Sequence, residues 1–208
     1  MLSFLAKYGR NINSQFLEDG VIEECVKRIG IEKGYCVEVG GNDGMWLSNT
    51  RALIDKGWHG TFIEADFRLH QKCKENWKDN KRVRSACSRV SAQNINAFVT
   101  NDCDVFSSDT DGIDYEIFKA LKARPKICIV EIDSGFPPES EEFNSDGAPG
   151  YRPMLKLGIE KGYFLLCHTG NMIFVLNEYR DLFPEIKGDG LSNSEQYFNP
   201  MHLREVAA

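Results

Sequence analysis

At 208 residues, with 42% hydrophobic and 27% charged residues, the chain has the size and composition of one globular domain with a full core. A formal net charge of −6 argues against a nucleic-acid backbone as the main partner, because phosphate neutralisation needs clustered Lys and Arg. The opening Met1-Leu2-Ser3-Phe4-Leu5-Ala6 is too short for a signal-peptide core, and no apolar run approaches a membrane span.

Phe16 to Ile29 carries an apolar stripe near the 3.6-residue period, with Gly30 as a stop, and predicts a helix that brings Ser14-Gln15 near a site. Tyr35 to Val39 is a short β-branched run broken only by Glu38, the pattern of a buried parallel strand. Gly40-Gly41-Asn42-Asp43-Gly44 forces a sharp turn, and Leu47 to Lys56 predicts a helix ended by Gly57. Thr61 to Ile63 is the next strand, with Glu64 and Asp66 at its carboxyl end. Phe67 to Trp77 predicts a helix, Arg82 to Cys87 a third strand and Asn94 to Val99 a short helix.

Asp104 to Asp109 is a fourth strand, followed by a helix over Tyr115 to Ala123 that Arg124-Pro125 breaks. Lys126 to Ile132 is the fifth and most apolar strand. Asp133 to Tyr151 is a long loop with three prolines and several acids, which predicts a substrate-side lid unfavourable to a highly anionic ligand. Pro153 opens a helix ending near Gly162. Tyr163 to Cys167 and Met172 to Leu176 are joined by only four residues, so they pair antiparallel. The remainder, with Phe183, Leu191, Tyr197 and Phe198, reads as a partly ordered tail over 178–208, after a domain of 1–177.

The seven cysteines are scattered, with no C-x-x-C pair, which points to reduced thiols in a cytoplasmic protein rather than a zinc site. A Gly-rich turn (Gly40, Gly41, Gly44) on one strand and an acid (Glu64) on its neighbour face one crevice beyond the strands' carboxyl ends, a nucleoside-binding layout. Asn42 stands where G-x-G-x-x-G would have its middle glycine, which disfavours a pyrophosphate. Asp109, Asp111 and Asp133 lie at or past strand ends; such acids serve either as oxygen ligands to a divalent cation or as helix caps, and no metal is assigned.

Several stretches together resemble the FkbM-type methyltransferases: SQFLEDG at 14–20, VEVGGNDG at 37–44, SNT at 48–50, FIEAD at 62–66, SSDTDGIDY at 107–115, VEID at 130–133 and TGNMIFV at 169–175. The resemblance implies an α/β fold of the class I methyltransferase (Rossmann-like) type. Its seven-stranded sheet has an antiparallel last strand and helices on both faces. It also implies S-adenosylmethionine (SAM) as cofactor and O-methylation of a small-molecule or glycan hydroxyl.

On that resemblance Glu38 helps hold the methionine ammonium, against the plainer role of accepting amide hydrogen bonds from the glycine turn. Glu64 takes both ribose hydroxyls. Ala65 lines the adenine pocket with Ala86 or Cys87, and Asp66 contributes or merely caps the next helix. Gly40, Gly41, Asn42 and Gly44 form the cofactor turn, and Asp109 touches the methionine part or the acceptor. Asp109, Asp133 and His168 are the candidate catalytic groups, with His168 either a base on the site's rim or an ordinary turn residue. The competing readings are a nicotinamide-dependent oxidoreductase and a non-catalytic module of the same fold.

Overall fold

The computed structural model describes residues 4–188. Two helices, α1 (Phe4–Tyr8) and α2 (Glu18–Ile29), precede five alternating units. These are β1 (Tyr35–Val39), α3 (Arg51–Asp55), β2 (His59–Glu64), α4 (Phe67–Asn76), β3 (Val83–Cys87), α5 (Ile95–Phe98), β4 (Val105–Ser108), α6 (Asp114–Ala120) and β5 (Ile127–Glu131). Then come α7 (Tyr151–Glu160), β6 (Tyr163–His168), β7 (Asn171–Leu176) and a 3-10 turn over Asn177–Leu182.

The strands form one sheet in the order β3-β2-β1-β4-β5-β7-β6. The first five run parallel, and β7 inserts antiparallel between β5 and β6. The order reverses at β1, with β2 on one side and β4 on the other, so a crevice opens there beyond the carboxyl ends. Alternation along each strand divides the core into two layers. Val37, Val39, Phe106, Cys128 and Val130 pack one face, while Cys36, Phe62, Val105, Ile127 and Ile129 pack the other. Each such Val, Ile or Phe side chain, fully buried, contributes about 1.5–3 kcal/mol.

The helix expected over Leu47 to Lys56 is only Arg51–Asp55. Leu47 sits at φ 55°, outside the right-handed helical region, and the next three residues are drawn into a loop around Glu38. Likewise α2 begins at Glu18 rather than Phe16, because Leu17 is left-handed at φ 77°. Helix α1 was not expected. Its Phe4 is buried against Phe183 at 5.9 Å between ring centres, and Phe183 in turn meets Phe164. The expected tail therefore starts as packed structure through Phe183, and its remainder, 189–208 with Leu191, Tyr197 and Phe198, lies outside the described residues.

The loop from Asp133 to Tyr151 is folded on itself. Asn144 N donates to Ala148 O, Gly150 N to Glu142 O and Asp133 N to Pro149 O. Among the described residues, no helix is long and apolar enough to cross a membrane.

Candidate active site

Glu38 is the single acid of β1 and is 4% exposed. Its carboxylate is satisfied by the Ser48-Asn49-Thr50 loop. Ser48 Oγ donates at 2.7 Å, Asn49 N at 3.0 Å and Thr50 N at 3.2 Å, and the Thr50 hydroxyl also donates. The amides come from this loop, not from the glycine turn as the plainer reading expected. Burial pushes the Glu38 carboxyl up, and these donors pull it back. Glu38 thus moors the loop that carries Trp46 and Leu47 to the mouth of the crevice, and it still lines that crevice.

The glycines of the turn are dictated by the protein's own packing. A Cβ on Gly40, at φ 76°, would stand 1.7 Å from the Asp109 carbonyl oxygen. One on Gly44, at φ 71°, would strike Trp77 and Cys73. Gly41 backs onto Phe62. Of the turn, Gly40 and Asn42 line the crevice.

Glu64 closes β2 with one carboxylate oxygen on the glycine turn and the other on the start of the next segment: Asn42 N donates to Oε2 at 2.8 Å and Asp66 N to Oε1 at 2.8 Å. Each oxygen keeps a further lone pair. Asp66 is the N-cap of α4, accepting from Arg68 N and Leu69 N, and does not line the crevice. Ala65 does line it, whereas Ala86 packs toward the core, and the β3 side of the wall is Ser88-Arg89-Val90. This crevice holds about 580 Å³.

A second cavity of about 510 Å³ adjoins the first. The two share Gln15, Asp109, Asp111 and Glu131. Gln15 is set there by the acids of the SQFLEDG stretch. Asp19 Oδ2 accepts from the amides of Ile12, Asn13 and Ser14, all at 2.7 Å, and Glu18 accepts from Phe16 N. The Ser14-Gln15 turn therefore does reach the site.

At the junction, one carboxylate oxygen each from Asp109, Asp111 and Glu131 lie within 4.8 Å of one another. Burial, then the charge of Asp114, raises Asp109 to about 6. Burial, then the charge of Asp109, raises Glu131 to about 9. The two lie close enough to titrate as a pair, which keeps a proton well above the ordinary carboxylate range. Asp114 itself is buried and accepts from Ser108 Oγ, Thr110 N and Thr110 Oγ1.

Asp133 is not in this trio. Its carboxylate accepts from Gly135 N at 2.8 Å and Asn144 Nδ2 at 2.9 Å, fastening the long loop at the far wall of the second cavity. His168 is fully buried, with Nε2 at 2.9 Å from Ser134 Oγ and its ring edge-on to Tyr151. It lies behind the cavity rather than on its rim, because β6 is covered by α7 and the loop's return. Glu131 is the residue that reading the sequence missed. A signal was present: it interrupts an apolar strand at its carboxyl end, as Glu38 does.

This fold, with β7 antiparallel between β5 and β6, is that of the class I methyltransferases. A SAM-dependent methyltransferase from Clostridium acetobutylicum is similar with TM-score 0.53 and 13% identity, over 76% of this chain and 90% of that one. A putative SAM-dependent methyltransferase from Methanococcus maripaludis gives TM-score 0.51 and 13% identity, over 75% and 82%. The CMeT domain of the citrinin polyketide synthase gives 0.52 and 13%, over 77% of this chain and 51% of that chain, about half its length. No protein-family model matches the sequence, and no curated protein matches it.

Proposed function

We propose that the chain is a SAM-dependent methyltransferase of the FkbM type, transferring a methyl group to a hydroxyl of a small molecule or glycan. The observation that carries this reading is the crevice at the sheet's reversal point, where Glu64 and Glu38 stand on adjacent strands facing one space of about 580 Å³. That volume suits a nucleoside with an amino-acid tail. Glu64 has lone pairs left for two ribose hydroxyls, and Ala65, Leu69 and Val90 offer an apolar wall for a base. Glu38 and Asp109 supply negative charge toward an ammonium. When bound, SAM supplies an electrophilic methyl on a sulfonium.

The chain's own part is mainly orientation. Asp109, at the junction of the two cavities, accepts the hydroxyl proton, and Glu131 shares the charge. Asp133 and His168 act by holding the loop that closes the second cavity. The choice of oxygen rests on the motif resemblance and these carboxylates, since the neighbours include a CMeT domain. The nicotinamide reading is disfavoured by the antiparallel β7 and by Asn42.

Calorimetry with SAM, S-adenosylhomocysteine and NAD tests the assignment. Binding of the first two and not of NAD is expected. Labelled methyl transfer to a hydroxyl compound then separates an enzyme from a module that only binds.

A further inference from the structure

The second cavity is lined by five carboxyl side chains, Asp109, Asp111, Glu131, Asp133 and Asp146, and its described lining contains no Lys, Arg or His. The first cavity differs, since Arg89 is on its wall. Phe16 and Ile132 give the second cavity apolar surface beside the acids, as a ring-bearing ligand would need. A separate observation also asks for a donor. Asn171 stands opposite Glu131 in the β5–β7 register, belongs to the same wall and is 5% exposed. Its Nδ2 donates to Glu18, but its Oδ1 is buried without a hydrogen-bond partner. An unpaired buried acceptor is costly unless a ligand or water donates to it.

We infer that this cavity receives the methyl acceptor and that the acceptor is a cationic, hydroxyl-bearing amine, such as an amino sugar or a hydroxyaryl amine. The inference rests on the methyl-transfer reading and adds the charge class of its substrate. An anion entering here would meet only carboxyl groups at the titratable positions of the described wall, and no cation. An ammonium would find carboxylates around it and donate to the free lone pairs. Its arrival beside Asp109 and Glu131 favours loss of the proton that this pair keeps, so binding should release protons to the buffer. The hydroxyl of the same molecule would then face Asp109 at the junction with the first cavity.

The test is calorimetry on the full chain saturated with S-adenosylhomocysteine. Glucosamine and tyramine are each compared with their N-acetyl derivatives, with glucuronate as the anion and MnCl₂ alone as a metal arm. At least one amine should bind about tenfold or more tighter than its neutral derivative, with glucuronate undetected. That preference should shrink in high salt and in Asp146→Asn, an exposed wall residue outside the first cavity. S-adenosylhomocysteine should bind Asp146→Asn as it binds the parent chain.

Equal binding of amine and N-acetyl forms overturns the inference. So does failure of both amines to bind, or Mn²⁺ binding with no amine preference. If S-adenosylhomocysteine itself does not bind, it is the methyltransferase reading that fails. Proton release, read as a dependence of the heat on the buffer's ionisation enthalpy, should disappear in Glu131→Gln.

Discussion

Glu131 at the end of β5 brings a carboxylate oxygen within 4.8 Å of one from Asp109, just past the end of β4, and burial together with this like charge keeps the pair protonated well above the ordinary carboxylate range. Two neighbouring carboxyls in a partly buried site cannot both ionise at ordinary acidity. This pair sits where the two cavities meet, so its charge state faces both.

The first expectation concerns pH and stability. Both carboxyls titrate above their ordinary values of 3.8 and 4.5, so the folded chain keeps protons that the unfolded chain releases. Their contribution to stability is therefore full below about pH 4, and it is lost as pH rises through about 6 for Asp109 and about 9 for Glu131. Glu131→Gln should flatten that decline and raise the melting temperature at pH 9, by about 2–4 °C per kcal/mol recovered. Thermal scans from pH 5 to 9 decide it, and identical slopes in parent and variant would contradict the pairing.

Cofactor recognition is tested at Glu64. Glu64→Gln keeps the shape but removes the charge and one acceptor oxygen, so SAM affinity should fall by roughly 1.5–3 kcal/mol. Unchanged affinity would mean that the nucleoside does not lie along β2.

Chemistry and support should separate at Asp109 and His168. Asp109→Asn should lower turnover at saturating substrates by about 10²-fold or more, the usual scale for loss of a proton acceptor. His168 is buried behind Ser134, so His168→Ala should lower the melting temperature and leave the pH dependence of turnover in place. A lost alkaline or neutral limb in the His168 variant would return the base to that ring.

Gly40→Ala probes the close approach of β1 to the residue after β4. The new methyl carbon would meet the Asp109 carbonyl oxygen at 1.7 Å, in a backbone conformation at φ 76° that alanine resists. Destabilisation on the order of 3 kcal/mol or more is expected in denaturant titrations.

The parallel strands were legible because their β-branched runs are bounded by glycine, proline and acids, as KICIVEI is by Pro125 and Asp133. The antiparallel hairpin followed from the four-residue link between Cys167 and Met172. What the sequence could not display was competition for the backbone. Leu47 to Thr50 has acceptable helix formers around it, yet Glu38, ten residues away, captures Ser48, Asn49 and Thr50 as donors. The same limit applies to the site. Asp133 and Glu131 are two residues apart on one segment, and only the fold turns Glu131 toward Asp109 while Asn144 and Gly135 claim Asp133. His70, which has no sequence signal of burial, faces β3 and meets Ser85 Oγ at 3.2 Å.

The loop moored by Glu38 presents Trp46 at the mouth of the first cavity, 66% exposed and on its wall. The other two indoles are placed differently: Trp58 is 2% exposed in the core, and Trp77 is stacked on Phe62 with its Nε1 donating to Gly44 O. The protein thus carries an optical probe of its own. Ligand entry should change the emission of Trp46, the most exposed of the three indoles and the one on the cavity wall, far more than that of the other two, so occupancy can be followed by fluorescence without a label.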